Sequence, residues 1–501
     1  MPSLRFPVLS SVRALSLCVG AFAAIVPLSA QCPDGAPPPC RGVRAAAAPA
    51  NSIAVLYFDN LSRDTSYAYL ADGLTEEIIA TLGKVRRLNV KSLYASQQFR
   101  GRPSTSTAAL GRALGASYLL RGSVRPTAGR VRVTYELLAA GNGTHVAGDV
   151  LERGGAEVAG VPGDIAATVA TTIVGPLLPA ERTILARRPT DNAEAHDLYL
   201  RALHAAESWS QQGPTAALAF LDRAIALDSG FANAWAAKAV ALTMLADGYE
   251  NPREMYAKVR QAAAAALQRD STSALAWAMV GVGAVTLDYD MERWSQFSLR
   301  ALALDPRLIW GHIGLGTARI VQRRLDEGRA VLRSGWDLDT LDAVAAVGFL
   351  WGFKFSGMME SLAVYLPRMR AALTAEDRQA YEGLLAFSRG DFASAARQLE
   401  WRYYGGFVAG ELVRALVATG RSDAARATVD SMLAARTPGY YNALALAKAY
   451  VALGDRDRAF EWLERGREEQ TWWLIWLRLD PMWEPLRADP RFAALLARTR
   501  L

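Results

Sequence analysis

From about residue 200 onward, apolar positions recur at helical spacing, with Ala, Gly and Trp returning at matching places. The segments DRAIALDSGFANAWAAKAVAL, AAALQRDSTSALAWAMVGVGA, RALALDPRLIWGHIGLGTA and RSGWDLDTLDAVAAVGFLW follow one design. An acid closes one helix of each unit, at Asp228, Asp270, Asp305 and Asp339, which stand 42, 35 and 34 residues apart. Trp235, Trp277 and Trp310 fill an aromatic place early in the next helix, and Gly281 and Gly314 a close-approach place. Ala224, Ala266 and Ala301 are the small residues at the helix crossings, and Pro306 stops the chain after its acid. Later units turn at Gly390-Asp391, Gly420-Arg421 and Gly454-Asp455, followed by Ala395, Ala425 and Ala459 at the packing place. One helical hairpin cannot bury its own apolar face, so such units stack and share a core. The pattern predicts about seven or eight helix pairs in a right-handed, all-α solenoid over residues 189–501, irregular at 240–262 and 340–375.

Upstream the period changes. SIAVLYF, residues 52–58, reads as a buried strand, and LADGLTEEIIATLGKV then sets Leu74, Ile78, Ile79 and Leu82 on one helical face. Asp72 falls where an N-cap belongs, with Glu76 and Glu77 in the first turn, where they complement the helix dipole. LNVKS is a second strand, and TSTAALGRALGA a second helix closed by Gly115. Val131, Val133, Tyr135 and Leu137 alternate as in a strand, with turns at Gly129 and at GNG, residues 141–143. GDIAATVATTIVGPLL adds a helix. The order predicts an α/β domain, a small mixed sheet with helices, over residues 51–188. Acids just past a strand are where an α/β enzyme keeps its chemistry. Here Asp59, Asp64, Asp72, Glu76 and Glu77 each have a strand-ending, loop or capping role, and no two converge on one substrate atom.

The blocks SIAVLYFDNLS, YLADGLTEEII and YLLRGSVRPTAGRVRVTYELLAAGNGTHV resemble the TolB amino-terminal-like (FlgO-like) domain of bacterial envelope and signalling proteins, across residues 52–175. The helical units resemble tetratricopeptide (TPR) repeats, whose period is about 34 residues. In that family the first domain commonly precedes such repeats. It is often attached to a serine/threonine kinase, an adenylate cyclase or a winged-helix regulator. The resemblance implies a binding or assembly module and no catalytic residues. Tyr57 departs from the family's usual Pro, Arg121 stands where an acid is common, and the Trp that often follows His145 is absent.

Residues 1–30 place Arg5 and Arg13 before an apolar run from Ala14 to Val26, then Pro27 and the small Ser29 and Ala30. This is the order of a secretory signal peptide, with an uncleaved anchor as the alternative. Cys18 lies within it. Cys32 and Cys40 follow in a Pro/Ala-rich linker, residues 31–50, and suit a local disulfide in an oxidising compartment. Gln31 intervenes before Cys32, which counts against a lipid-attachment site. The formal charge of +7 is spread over 501 residues without a basic block, so no nucleic-acid partner is expected.

His145, His196, His204 and His312 are the only histidines, and His196 and His204 sit eight apart without a metal-binding arrangement. Nucleophile-elbow, phosphate-loop and zinc patterns are absent. The expectation is no enzyme, no cofactor and no metal. Repeat register turns Arg319, Arg414 and Lys448 inward beside Met244 and Phe387, a candidate groove for an acidic or amphipathic peptide. Trp472, Trp473, Trp476 and Trp483 read as a cap on the solenoid end in preference to a ligand-binding aromatic box. Together these features predict an exported, non-enzymatic interaction scaffold of the bacterial envelope, periplasmic or secreted, with no membrane span after signal cleavage. It binds an unidentified protein or peptide. The alternative is a sensory module that binds a small ligand in the α/β domain and signals to a separate partner.

Overall fold

The computed structural model describes residues 48–62, 64–97, 99–100, 106–127, 129–206, 211–246, 248–436 and 440–499. The signal-like segment and the Cys32–Cys40 pair lie outside them. Residues from Ala48 onward form one compact unit, in which an α/β domain leads into a solenoid of helix pairs.

The sheet is mixed. Strands β1 (Ser52–Val55), β2 (Asp59–Asn60), β3 (Asn89–Val90), β4 (Tyr118–Thr127), β5 (Arg130–Ala139) and β6 (His145–Gly154) run in the order β3-β1-β4-β5-β6, with β2 beside β4. β1 lies parallel to β3 and β4, whereas β4, β5 and β6 form an antiparallel meander. All four residues of β1 are buried, as expected of a central strand covered on both faces. Ile53 and Val55 join Leu74, Ile78 and Leu82 of helix α1 (Ala68–Gly83) and Ile165 and Val169 of α4 (Val161–Val174). Ala54 points the other way, to Leu114 of α3 (Thr107–Leu114) and Ala95 of α2 (Leu93–Gln97). Ser106 caps α3 through Ala109 N, and Gly115 ends it at φ 58°, the left-handed conformation that favours glycine. The short α5 (Pro179–Leu185) carries Glu181, which pairs with Arg87 at 2.7 Å.

One local expectation is corrected. Helix α1 starts at Ala68, so Asp72 is an interior, buried residue and not an N-cap, and Glu76 and Glu77 lie in its third turn. The short 3-10 turn Thr65–Tyr67 leads into the helix and brings its start forward.

Eight helix pairs follow: α6 (Ala193–Ala206) with α7 (Gln212–Leu227), α8 (Ala232–Leu245) with α9 (Pro252–Arg269), α10 (Ala274–Asp288) with α11 (Met291–Leu304), and α12 (Ile309–Val321) with α13 (Leu325–Leu338). Next come α14 (Ala343–Phe355) with α15 (Met359–Met369), α16 (Ala375–Ser388) with α17 (Phe392–Gln398), α18 (Ala409–Ala418) with α19 (Ser422–Arg436), and α20 (Ala443–Leu453) with α21 (Arg456–Glu469). Two 3-10 segments, Trp472–Trp476 and Pro481–Leu486, and helix α22 (Pro490–Arg498) close the described chain. Asp228, Asp270, Asp305 and Asp339 all end their helices in extended conformation. Ala224, Ala266, Ala301, Ala395, Ala425 and Ala459 are wholly buried at the crossings. A Cβ on Gly281 would come within 2.8 Å of Trp294, and one on Gly314 within 2.5 Å of Ser298 Oγ. The stretches expected to be irregular are instead largely helical. Asn251 caps α9 just ahead of Pro252 at its first turn, and α14 buries Phe349, Phe353 and Phe355.

The two parts are joined along one seam. Helix α6 crosses α1 so closely that a Cβ on Gly73 would lie 2.8 Å from Leu200 Cβ and 3.1 Å from its Cα. The loops between helix pairs then reach the β3 edge of the sheet. Arg307 Nη1 donates to Asn89 Oδ1 at 2.9 Å and also reaches the Val90 carbonyl, while Ser92 N donates to Asp339 Oδ2 at 2.8 Å. An edge strand left bare would template association, and here side chains of the inter-helix loops cover the β3 edge. Gly73→Ala is expected to destabilise the protein by about 1–3 kcal/mol, because Leu200 is backbone-close and cannot swing aside. Urea unfolding of the two proteins measures it, and an unchanged midpoint would contradict the crossing.

Candidate functional site

The acids that follow β1 do not converge on a shared point. Asp59 and Asp64 are exposed, and Asp64 Oδ1 accepts from Ser66 N in its own loop. The other two notable acids face α6. Glu77 Oε2 lies 2.7 Å from His196 Nε2, with both side chains buried. Asp72 Oδ2 lies 2.8 Å from His204 Nδ1, and Arg100 reaches both Asp72 oxygens at 2.5 and 2.6 Å. His196 and His204 therefore occupy one face of α6, each against a carboxylate of α1. The arrangement clamps the α/β domain to the solenoid.

Burial alone would push the His196 pKa down, but the Glu77 carboxylate, its hydrogen bond and the nearby Asp197 outweigh it and raise it. A group whose folded pKa exceeds its unfolded one stabilises fully below the unfolded value, about 6.5 for His, and loses that contribution as pH rises through the folded one. Stability measured by urea unfolding between about pH 6 and pH 9 is expected to fall more steeply in the native protein than in His196→Gln. Parallel curves would show that the pair does not titrate as a clamp.

The second constellation lies in the later helix pairs and was not anticipated. Lys354 of α14, Glu411 of α18, Lys448 of α20 and Asp480 at the start of the last 3-10 segment are each buried. Lys354 Nζ stands 3.0 Å from Glu411 Oε1 and 3.2 Å from the Phe407 carbonyl, and Lys448 Nζ pairs with Asp480 Oδ2. Aromatic rings complete the cage: Lys354 Nζ is 4.4 Å from the centroids of Phe355 and Phe407, and Lys448 Nζ is 5.3 Å from Phe355. Gly410 permits it, since a Cβ there would lie 2.5 Å from Lys448 Cβ. Burial, with Lys448 adding to it, lowers the Lys354 pKa despite Glu411. For Lys448 burial acts downward, but Asp480 prevails and the value is raised. Asp480 is pushed up by burial and down further by the two ammonium groups, and ends below its ordinary range.

Above this cluster a cavity of about 660 Å³ opens to solvent. Lys354, Glu411 and Asp480 form its floor, Met359, Leu384, Leu385, Phe387 and Met482 its walls, and Glu360, Arg389 and Arg414 its exposed mouth. Of the residues placed in the candidate groove by register, Phe387 and Arg414 line this cavity, with the guanidinium 5.9 Å from the ring. Lys448 lies beneath the floor and is held by the chain's own Asp480. Met244 is half-buried on α8, and Arg319 bonds Gln322 Oε1 at 3.1 Å on α12; neither lines the cavity. Trp473, Trp476 and Trp483 are buried, and Trp476 stacks on Phe355 at 4.6 Å. These rings pack inside the later repeats as a plug. Lys354 had a faint signal in the sequence as the lone charge of the apolar α14, whereas Glu411 shares α18 with Arg414.

In architecture the protein is an α/β domain with a small mixed sheet followed by a helical-repeat solenoid. Solved structures similar in part include PilF of Pseudomonas aeruginosa, 18% identical, covering 44% of this chain and 95% of that one at a TM-score of 0.31. Another is the Cut9-Hcn1 hetero-tetramer of the APC/C, 12% identical over 68% of this chain and 84% of that one, TM-score 0.33. No protein-family model matches the chain. Among curated proteins, "Putative adenylate cyclase 3" of Rhizobium meliloti (strain 1021) is 32% identical over 189 residues, 38% of this chain. The chain spans only 32% of that relative's length. The relative overturns the expectation that the chain is not an enzyme, because it is itself named as one. Missing elbow, phosphate-loop and zinc motifs speak only about those chemistries. Among the described residues no helix is long and apolar enough to cross a membrane.

Removing one member of a buried ion pair strands the other. Lys448→Met is expected to cost about 3–5 kcal/mol, and Lys448→Met with Asp480→Leu to recover most of it. Denaturant unfolding of the single and double variants decides this, and equal stabilities would mean that the pair is not the closed unit described.

Proposed function

We propose that this chain is a recognition module of a signalling assembly, whose later helix pairs take a peptide segment of a partner protein at the Phe387–Arg414 cavity. The observation that carries the reading is the cavity mouth. Arg389 and Arg414 are exposed, without an ion partner among the described residues, beside an apolar wall over a rigid, buried floor. Such a surface suits a peptide that alternates carboxylates with apolar side chains. In this reading the α/β domain is of the TolB amino-terminal-like type, clamped to the repeats through α1 and α6. Residues 1–30 then direct export to the cell envelope. Support for those two parts comes from the sequence blocks and from the charged, apolar, small-residue order at the start.

A second reading is favoured by the curated relative's name: that the chain makes, or belongs to a machine that makes, cyclic AMP from ATP. Both readings meet in one set of experiments. Displayed peptides selected on the purified full chain are expected to be acidic and apolar, and the variant Arg389→Glu with Arg414→Glu to weaken them at least about tenfold, near 1.4 kcal/mol. Failure to select peptides, or binding indifferent to both arginines, would end the first reading. Cyclic AMP formed from ATP by the same preparation would establish the second.

A further inference from the structure

Within the cavity one polar atom has no counterpart. Glu411 is 3% exposed; its Oε1 meets Lys354, while its Oε2, also buried, has no hydrogen-bond partner among the described residues. A buried carboxylate oxygen without a donor is costly, the more so when the group is charged. Glu411 itself lines the open cavity. The other floor acid is already satisfied, with Asp480 Oδ2 on Lys448 and its Oδ1 accepting from Met482 N at 3.0 Å. Lys354 occupies only one of the two Glu411 oxygens, so the second keeps its share of the carboxylate charge. A cationic donor therefore gains more there than a neutral one. The approach is walled by Met359, Leu384, Leu385 and Met482, apolar side chains suited to methylene groups, two of them adaptable methionines.

We infer that the floor receives the side-chain ammonium of a lysine carried by the partner peptide, donating to Glu411 Oε2, with its methylene stem against the apolar wall. The inference rests on the peptide reading above and adds a rule to it: carboxylates at the mouth for Arg389 and Arg414, a lysine at the floor for Glu411. The stem and the ammonium separate lysine from other residues. Arginine presents a wider, planar head, and norleucine has the stem without the charge.

The test uses the purified full chain and two probes that differ only in charge, Nα-acetyl-lysine N-methylamide and Nα-acetyl-norleucine N-methylamide, titrated by calorimetry or ligand-observed NMR. The lysine derivative is expected to bind at least about tenfold more tightly, and Glu411→Gln to abolish that preference. Because Glu411→Gln also disturbs Lys354, Leu385→Trp provides a second variant: it narrows the cavity without touching the ion pairs and is expected to block both probes. Equal binding of the two probes, binding of neither, or a lysine preference that survives Glu411→Gln overturns the inference. The Arg389→Glu, Arg414→Glu variant is expected to keep the lysine preference while losing acidic peptides. Loss of the peptide reading and loss of the floor assignment therefore give different results.

Discussion

A helical hairpin presents an apolar face that only another hairpin can cover, and this constraint governs the structure from α6 to the last described residue. Each pair in the stack passes the problem to the next, so the final pair, α20 with α21, needs a different cover. The chain supplies it from residues 471–486, whose Trp473, Trp476 and Trp483 enter the core of the later pairs. The chain there also turns back on earlier repeats: Gln470, which ends α21, donates through Nε2 to the Leu287 carbonyl at 2.9 Å, and Trp472 packs near Trp351 at 5.5 Å. At the other end the stack opens against α1 of the α/β domain. Both ends are thus capped by the chain itself, which is what a solenoid needs to avoid exposing a bare apolar face.

The C-terminal plug brings a charge with it, and the buried ion pairs follow from that. Asp480 starts its 3-10 segment by accepting from Met482 N, so it is fixed where the plug enters the repeats, opposite Lys448. A second lysine, Lys354, lies close enough for the two ammonium groups to oppose each other, and Glu411 answers it. Neutrality within the cluster, with aromatic faces around it, keeps four charges tolerable in a core. The lysine expected from register to face a partner's acid meets an acid of its own chain. What remains for solvent is the cavity above, lined by Glu411 and the exposed arginines among others.

Much of this fold was legible because it depends on local periodicity. The helix-closing acids, the crossing alanines and the turn glycines lie at the predicted places, since each serves contacts within a unit or with its nearest neighbour. The α/β order was legible for the same reason. What was hidden depends on residues far apart in sequence. Asp72 looked like a cap because an acid before an apolar helical run usually is one, yet α1 begins a turn earlier and Asp72 meets His204 across the seam. His196 and His204 gave only a spacing, and no pattern pointed to partners more than a hundred residues upstream. Lys354 stood out only as a lone charge in α14 and Glu411 not at all in α18, and they become a site only when the two helices are packed together.

The two clusters differ in kind, and the difference bears on where a ligand acts. At the α1–α6 seam each histidine has a carboxylate and the contacts close on themselves, so the seam transmits position more readily than it receives a molecule. The floor at α14 and α18 is held by its ion pairs but leaves one buried acceptor of Glu411, a cavity-lining residue, without a donor among the described residues. Occupying that acceptor adds a donor beside Lys354, whose proton is the most weakly held of the two buried lysines. A cation there competes with Lys354 for the same carboxylate, and because Lys354 also holds the Phe407 carbonyl, the competition reaches the packing of Phe355, Phe407 and the stacked Trp476. In the proposed binding mode, ligand chemistry at the cavity is thereby coupled to the plug that closes the solenoid, through contacts already present in the folded chain.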